Sequence, residues 1–182
     1  MSNIGKKPVE IKEGAEVKVE KNKVIVTGPK GALEVKIPEG ISIEIKDNKV
    51  FVKKESEKKE LEKFFGMMRA VINNMVTGVT SNFEKKLELS GVGYRARVEG
   101  RDLILNVGFA NPVRITPPEG IEFKVEENVI IVKGASKEIV GDVADKIRGV
   151  RPPDPYKAKG IKYVGEIVRR KVGKAAKAVG GK

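Results

Sequence analysis

Short runs of alternating hydrophobic and polar residues fill most of the first third of the chain. They occur at residues 17–20, 33–37 and 41–45, and short apolar runs lie between and after them at residues 24–26 and 50–52. This period of two is typical of β-strands with one buried face. Turn-forming residues separate the runs, among them Pro38-Glu39-Gly40 and Asp47-Asn48. The pattern therefore predicts a small, mostly antiparallel sheet.

The hydrophobic spacing changes after Ser56, a candidate helix N-cap. Apolar residues now recur every three or four positions, which predicts one long amphipathic helix. The stripe consists of Leu61, Phe64, Phe65, Met68, Ile72, Met75, Val76 and Val79. Phe64, Phe65, Met67, Met68 and Met75 could also line a binding groove, but at helical spacing we interpret them as core.

The chain contains an internal repeat, because residues 24–53 align with residues 104–133 without a gap. Eight of the 30 aligned pairs are identical, and the apolar positions keep their phase between them. The identities are Gly28/Gly108, Pro38/Pro118, Glu39/Glu119, Gly40/Gly120, Ile41/Ile121, Asn48/Asn128, Val52/Val132 and Lys53/Lys133. We therefore predict an α+β protein of two tandem duplicated domains, each a small, mostly antiparallel sheet packed with one helix.

The second copy ends in a shorter predicted helix, capped by Ser136 and stopped by Pro152-Pro153. Its apolar stripe is Ile139, Val140, Val143 and Ile147. The predicted boundaries are 1–81 for the first domain, 82–150 for the second, and 151–182 for a basic C-terminal extension. Within this extension, residues 164–168 could add a last strand to the second domain.

Composition excludes several classes of function. The chain has no Cys and no His, which argues against a disulfide framework, a zinc ribbon, a thiol nucleophile and an imidazole metal site. Its apolar runs are far shorter than the ~20 residues that span a bilayer, and residues 1–7 have no apolar segment of a secretory signal behind them. We expect an intracellular protein with no metal, no cofactor and no membrane partner.

Positive charge is concentrated at one end of the chain. Residues 1–80 hold 16 basic and 12 acidic side chains, and residues 81–148 hold 11 of each. Residues 149–182 hold ten basic and only two acidic side chains, which is two thirds of the net charge of +12. A basic segment behind two nearly neutral halves usually has a polyanionic partner.

Two glycine motifs suggest phosphate binding, but their surroundings favour turns. Residues 91–96 match G-x-G-x-x-A, yet the alternation that follows predicts a strand where a dinucleotide fold needs a helix. We interpret Gly91 and Gly93 as allowing a bulge or a close backbone approach. Gly28-Pro29-Lys30-Gly31 matches the G-x-x-G clamp of KH domains, but strands on both sides favour a tight turn.

Candidate catalytic groups are weak. The neighbouring carboxylates Glu126-Glu127 and Asp142/Asp145 each have Lys or Arg nearby, and no Ser lies in a recognisable nucleophile motif. We predict no catalytic residues.

The basic extension carries the strongest binding signal. Three prolines stiffen residues 151–155, and Lys157, Lys159 and Lys162 surround Tyr156 and Tyr163. Cations for phosphates beside aromatic rings for bases are typical of RNA-binding segments. The candidate contacts are Arg95, Arg97, Arg151, Tyr156, Lys157, Lys159, Lys162, Arg169, Arg170, Lys171, Lys174 and Lys177, with Gly91, Gly93 and Gly160 allowing close approach. The alternatives are a solvated strand face for Arg95 and Arg97, and a solubilising terminus for the extension.

Several motifs together resemble the bacterial-type family of the sixth protein of the large ribosomal subunit. The resemblance covers nearly the whole chain and is most specific at residues 153–161. The other matching segments are residues 2–9, 26–31, 69–75 and 91–96. Phe65 and Asn111 stand where many relatives carry His, and Ala158 stands at a common Gly position, which is a mild departure.

This resemblance implies a duplicated α+β fold and a structural, non-enzymatic role in translation. It also implies a place in the cytoplasmic ribosome and binding of large-subunit rRNA, rather than DNA, chiefly by the second domain and the extension. The implied site lies near the base of the factor-binding stalk, beside neighbouring ribosomal proteins. We expect removal of residues 151–182 to leave both domains folded and to abolish specific binding. The main alternative is a tandem-domain protein-interaction module whose basic extension binds any acidic partner.

Overall fold

A computed structural model of the protein describes residues 5–56 and 61–173. The chain forms two compact units. The first comprises the chain up to Phe83 together with Gly134–Lys137, and the second comprises Glu84–Lys133 and the chain from Glu138 onward.

Six strands and one helix build the first unit, and the hydrophobic pattern predicts all of them except the first strand. They are β1 (Val9–Glu10), β2 (Glu16–Glu20), β3 (Lys23–Gly28), β4 (Gly31–Lys36), β5 (Ile41–Lys46), β6 (Lys49–Lys54) and α1 (Leu61–Ser81). The strands form two sheets, with the orders β2-β3-β4 and β1-β6-β5. All four pairings are antiparallel.

Tight turns join the strands at the predicted places. Asp47 and Asn48 connect β5 to β6 with φ angles of 49° and 59°, a left-handed conformation that Asp and Asn tolerate better than most residues. The motif Gly28–Gly31 connects β3 to β4, and its two end glycines pair with each other. The tight-turn interpretation of that motif is confirmed.

Helix α1 packs against strands of both sheets. Its buried residues include Leu61, Phe65, Met68, Ile72, Met75, Val76 and Val79. Two residues differ from the prediction, because the side chains of Phe64 and Met67 are 39% and 46% exposed. The apolar stripe is therefore wider than the face that the sheets cover. The candidate N-cap Ser56 precedes residues 57–60, which lie outside the described residues.

The second unit repeats the element order of the first. Its elements are β7 (Phe83–Ser90), β8 (Arg95–Glu99), β9 (Asp102–Asn106), β10 (Val113–Ile115), β11 (Ile121–Glu126), β12 (Val129–Gly134), α2 (Lys137–Val150) and β13 (Gly160–Tyr163). The sheets have the orders β8-β9-β10 and β11-β12-β7-β13. The predicted α+β class and the duplication are confirmed, with the strands of each unit divided between two sheets.

The last strand lies earlier in the sequence than predicted. Strand β13 covers Gly160–Tyr163 and pairs antiparallel with β7, whereas residues 164–168 form no strand. The prediction of a strand at 164–168 is therefore wrong. The chain between α2 and β13 contains Pro152 and Pro153, and α2 ends before them at Val150, as proline requires.

Candidate nucleic-acid interface

Strand β13 fixes the beginning of the basic extension to the second unit. Ile161 lies opposite Leu89 of β7, and both side chains are buried, Ile161 completely. The amide of Val164 continues the contact by donating to the carbonyl oxygen of Lys86 (3.0 Å). Residues 151–163 are therefore an integral part of this unit, and their removal would take away an outer strand.

Residues 151–160 form a closed loop in front of β13, here called the basic loop. The amide of Ile161 donates to the carbonyl oxygen of Arg151 (2.7 Å), and the amide of Asp154 donates to that of Lys159 (2.8 Å). The carboxylate of Asp154 accepts from the amide of Lys157 (2.8 Å). These hydrogen bonds close the backbone of the loop on itself. The side chains of Lys157 and Lys159 project from it into solvent.

Two backbone positions make this loop possible. Gly160 has a φ of 147°, and a Cβ added there would lie 2.6 Å from the carbonyl oxygen of Pro152. Its close approach is thus to the protein's own backbone. Ala158 has a φ of 56°, the left-handed region in which glycine is the least strained residue. This explains why glycine suits the position.

The basic loop presents four of the predicted contact residues together. Tyr156 is 56% exposed, and Lys157 and Lys159 are exposed beside it. Arg151 is also exposed and lies over the ring of Phe109, with its guanidinium carbon 5.4 Å from the ring centroid. Cations and an accessible aromatic ring therefore share one surface.

A cleft of about 390 Å³ adjoins the basic loop. Its lining residues are Tyr94, Arg151, Pro152, Asp154 and Lys159. Sequence reasoning did not identify Tyr94 or Phe109 as part of this surface. Gly91 and Gly93, with φ angles of 155° and 79°, form the turn that leads to Tyr94. The sequence pattern predicted only that Tyr94 begins an alternating strand, and it gave no sign that Tyr94 lies beside the cleft.

The extension continues past β13 through a turn held by an ion pair. The carboxylate of Glu166 accepts from the guanidinium of Arg148 at 2.7 and 3.2 Å and from the amide of Tyr163 at 2.9 Å. The Arg148 guanidinium, followed by the Tyr163 amide, lowers the pKa of Glu166, and the same pairing raises the pKa of Arg148. Burial raises the pKa of the Tyr163 hydroxyl.

After this turn the backbone returns to the basic loop. The amide of Lys171 donates to the carbonyl oxygen of Pro155 (2.8 Å), next to Tyr156. Arg169, Arg170 and Lys171 are exposed. The structure therefore brings these three cations to the basic loop. Lys174 and Lys177 lie outside the described residues.

The other predicted contacts are separate from this group or engaged in ion pairs. Lys162 pairs with Glu88 (3.3 Å). Arg95 and Arg97 share one face of β8, as predicted, and border a cavity of about 240 Å³. Arg97 pairs with Glu99 (2.7 Å). Arg114, which sequence reasoning missed, lies opposite Ile104 in the neighbouring pairing and so extends the same face.

The described residues carry no arrangement for metal chemistry or for a membrane span. Within residues 5–56 and 61–173, no group of three or more His, Cys, Asp or Glu could hold a metal ion. No helix in the same ranges is long and apolar enough to cross a membrane. What the surface does offer is guanidinium and ammonium groups for phosphates, with aromatic rings for bases.

A duplicated α+β fold with a basic, aromatic surface on one unit is typical of RNA-binding proteins. The family model described as ribosomal protein L6 matches this chain twice, at residues 11–82 and 90–164. The chain belongs to the ribosomal protein L6 family, a family of structural components rather than enzymes.

Curated relatives match over almost the full length. A protein of Guillardia theta named large ribosomal subunit protein uL6c is 52% identical, covering 97% of this chain and 99% of its own length. The uL6 protein of Carboxydothermus hydrogenoformans is 50% identical over 96% of each chain. That of Trichormus variabilis is 48% identical over both complete chains.

Proposed function

We propose that the protein is a structural constituent of the large ribosomal subunit that binds large-subunit rRNA through its second unit and C-terminal extension. The assignment to the large subunit is supported by its relatives, which are large ribosomal subunit proteins. The concentration of positive charge in residues 149–182 supports the nucleic-acid partner. Within the ribosome, the family resemblance supports a site near the base of the factor-binding stalk.

The observation that carries this proposal is the joining of two cationic segments. The bond from the Lys171 amide to the Pro155 carbonyl oxygen places residues 169–171 beside the basic loop. Together the two segments expose Arg151, Lys157, Lys159, Arg169, Arg170 and Lys171 around Tyr156. Each phosphate that one of these cations neutralises releases counterions, and the Tyr156 ring can stack on an unpaired base.

The first unit has a different role in this proposal, as a spacer or a contact for neighbouring ribosomal proteins. Several of its surface cations pair with acids on its sheets. Lys23 pairs with Glu34 (3.1 Å), and Lys53 pairs with Glu44 (2.6 Å). Such matched charges leave less net attraction for a polyanion.

The test is a salt titration of binding to fragments of large-subunit rRNA, with tRNA and heparin as competitors. The paired substitution Lys157→Gln with Lys159→Gln should reduce the log–log salt slope by about 1.4–1.8, since each lost contact removes about 0.7–0.9. The matched control is Lys21→Gln with Lys36→Gln in the first unit, which removes the same charge from exposed positions. The control should leave the slope nearly unchanged.

The result also decides between the proposal and a protein-interaction module. Affinity for one rRNA fragment that persists at high salt supports a specific rRNA site. A steep slope with equal affinity for heparin, tRNA and rRNA would contradict it and would favour a basic extension that accepts any acidic partner.

A further inference from the structure

The ion pair between Arg148 and Glu166 joins the last turn of α2 to the turn that follows β13. Arg148 is in the last turn of α2, and its side chain is 31% exposed, against 26% for Glu166. The two groups share two hydrogen bonds. Bidentate guanidinium–carboxylate pairs fix direction as well as distance, so this pair orients the chain at Glu166.

The segment that follows Glu166 has little regular structure and little apolar burial to fix its position. Residues 166–173 form no helix or strand, and the apolar side chains of Ile167 and Val172 are 91% and 64% exposed. The backbone bonds that the structure shows here are Glu166 to Tyr163 (3.0 Å) and Lys171 to Pro155 (2.8 Å). Exposed backbone bonds alone contribute little order.

The position of Tyr163 ties the ion pair to the sheet. Tyr163 belongs to β13 and lies opposite Leu87. Its ring faces the guanidinium of Arg148 at 5.8 Å and the ammonium of Lys85 at 5.6 Å. Its amide donates to Glu166. The direction in which the chain leaves the sheet is therefore set by one cluster from α2, β7 and β13.

We infer that Arg148 and Glu166 are positioning residues for rRNA binding, which hold residues 169–171 beside the basic loop so that both cationic segments engage one stretch of RNA. The inference rests on the proposed function. The physical basis is preorganisation: a segment that is already oriented loses less conformational entropy when it binds.

The inference can be separated from simple electrostatics because the two predict opposite changes in RNA affinity when Glu166 is replaced. Glu166 is one of only two acids in residues 149–182. Replacing Glu166 with Gln raises the net charge by one, so charge alone predicts equal or tighter binding to RNA. Loss of positioning predicts weaker specific binding.

The experiment measures binding of the full chain to the rRNA fragment that the wild-type protein prefers, as a function of salt. We expect Glu166→Gln and Arg148→Gln each to weaken specific binding by about tenfold. We expect Glu166→Gln to reduce the salt slope by about 1.4–1.8, the equivalent of two phosphate contacts. Glu122→Gln is the matched control, since it changes the charge equally at an exposed position of β11. Thermal unfolding of each variant confirms that the second unit remains folded.

A second experiment tests whether Glu166 acts through the cations of residues 169–171. In a full-length variant with Arg169, Arg170 and Lys171 all changed to Gln, Glu166→Gln should cause no further loss of affinity. Equal or tighter RNA binding by the Glu166→Gln single variant would overturn the inference. A tenfold loss of affinity on adding Glu166→Gln to the triple variant would overturn it as well. If the wild-type protein shows no preference for rRNA over heparin, the proposed function itself fails, which is a distinct result.

Discussion

The two units share one fold but end their second sheets differently. In the first unit, β1 is a two-residue strand at the edge of the order β1-β6-β5. In the second unit, the corresponding strand β7 has eight residues and lies between β12 and β13. The two sheets of the first unit are therefore formed by strands that all precede α1, whereas the sheet β11-β12-β7-β13 of the second unit includes an additional strand from the extension.

This difference shows how a duplicated fold acquires a specialised surface. Strand β13 has no counterpart among residues 5–56 and 61–83 of the first unit, and the basic loop immediately before it carries Tyr156, Lys157 and Lys159. Several cations of the first unit pair with acids, among them Lys23 with Glu34 and Lys53 with Glu44, whereas residues 149–182 hold ten basic and only two acidic side chains. The added strand thus supplies both a buried anchor, through Ile161, and the attachment for the exposed cations.

The largest expected effect comes from removing the added strand. Deletion of residues 151–182 should unfold the second unit selectively, because it removes fully buried Ile161 and leaves β7 as an unpaired edge. Loss of a large buried aliphatic side chain alone costs about 2–5 kcal/mol. The sequence-based expectation is the opposite, that both domains remain folded, so the experiment distinguishes the two. Amide hydrogen exchange in β3 and β9 reports on the two units separately.

A shorter deletion is the matched control. Removal of residues 169–182 keeps β13 and the Arg148–Glu166 pair, so β9 should remain protected from exchange. Equal protection of β9 in both truncated proteins would contradict the structural role of β13 and would restore a boundary at residue 151.

The second prediction concerns the crowded glycine at the start of β13. Gly160→Ala should destabilise the second unit by about 2–4 kcal/mol, since the added methyl group meets backbone atoms and the φ angle disfavours a side chain. Gly165→Ala is the control, because Gly165 has a φ of 84° with open space around it, and should cost only about 1 kcal/mol. Urea unfolding of both variants measures the difference, and equal costs would show that crowding at Gly160 is unimportant.

The third prediction is a pH dependence of the second unit. The pKa of Glu166 is lower in the folded protein than in the unfolded chain, mainly because of Arg148. Its stabilisation is therefore complete above the ordinary Glu pKa of about 4.3 and is lost as the pH falls through the lowered value. The neighbouring charges of Lys162 and Asp145 also face this cluster. Glu166→Gln should lower the unfolding free energy at pH 7 by about 1 kcal/mol and make little difference near pH 2.

The first unit provides the comparison for this titration. Lys53 and Lys46 also lower the pKa of Glu44, but the side chain of Glu44 is 38% exposed against 26% for Glu166, so solvent screens its ion pairs more. We expect Glu44→Gln to change the pH profile of stability less than Glu166→Gln does. A larger effect at Glu44 would reverse this ranking of the two units.

The smallest expected effect is a stabilisation. Ala158→Gly should raise the unfolding free energy of the second unit by about 0.5–1 kcal/mol, since it relieves the strain of a positive φ while adding some entropy to the unfolded chain. The control is Ala110→Gly, because Ala110 lies in a loop of the same unit and has a negative φ. This substitution should not stabilise the unit. Thermal denaturation detects both changes.

Most of the fold could be predicted from the sequence because local signals agree with the tertiary structure. The period-two runs, the Asp47-Asn48 turn and the repeat of 30 positions each specify elements that later pack together. Helix α1 was predicted along its described length from its apolar spacing. The exposure of Phe64 and Met67 was not predicted, because the width of the helix face that is covered depends on where the two sheets contact the helix.

The site was only partly predictable, for a related reason. Basic and aromatic residues in the extension are visible in the sequence, but their neighbours come from distant positions. Residues 164–168 are richer in Val and Ile than Gly160–Tyr163, so propensity favours the wrong segment. Pairing with β7 selects the strand instead, and the same tertiary context brings Tyr94 and Phe109 to the basic loop.

The antiparallel pairing of β13 with β7 also has a consequence for biosynthesis. All elements of the first unit precede Asn82, so the translating ribosome releases them early and together. The outer partner of β7, strand β13, is synthesised after every other element of the second unit, and until then one edge of that sheet has open hydrogen-bonding groups that invite incorrect association. The second unit therefore cannot complete this sheet until β13 has left the ribosome, whereas the first unit can complete both of its sheets well before that point.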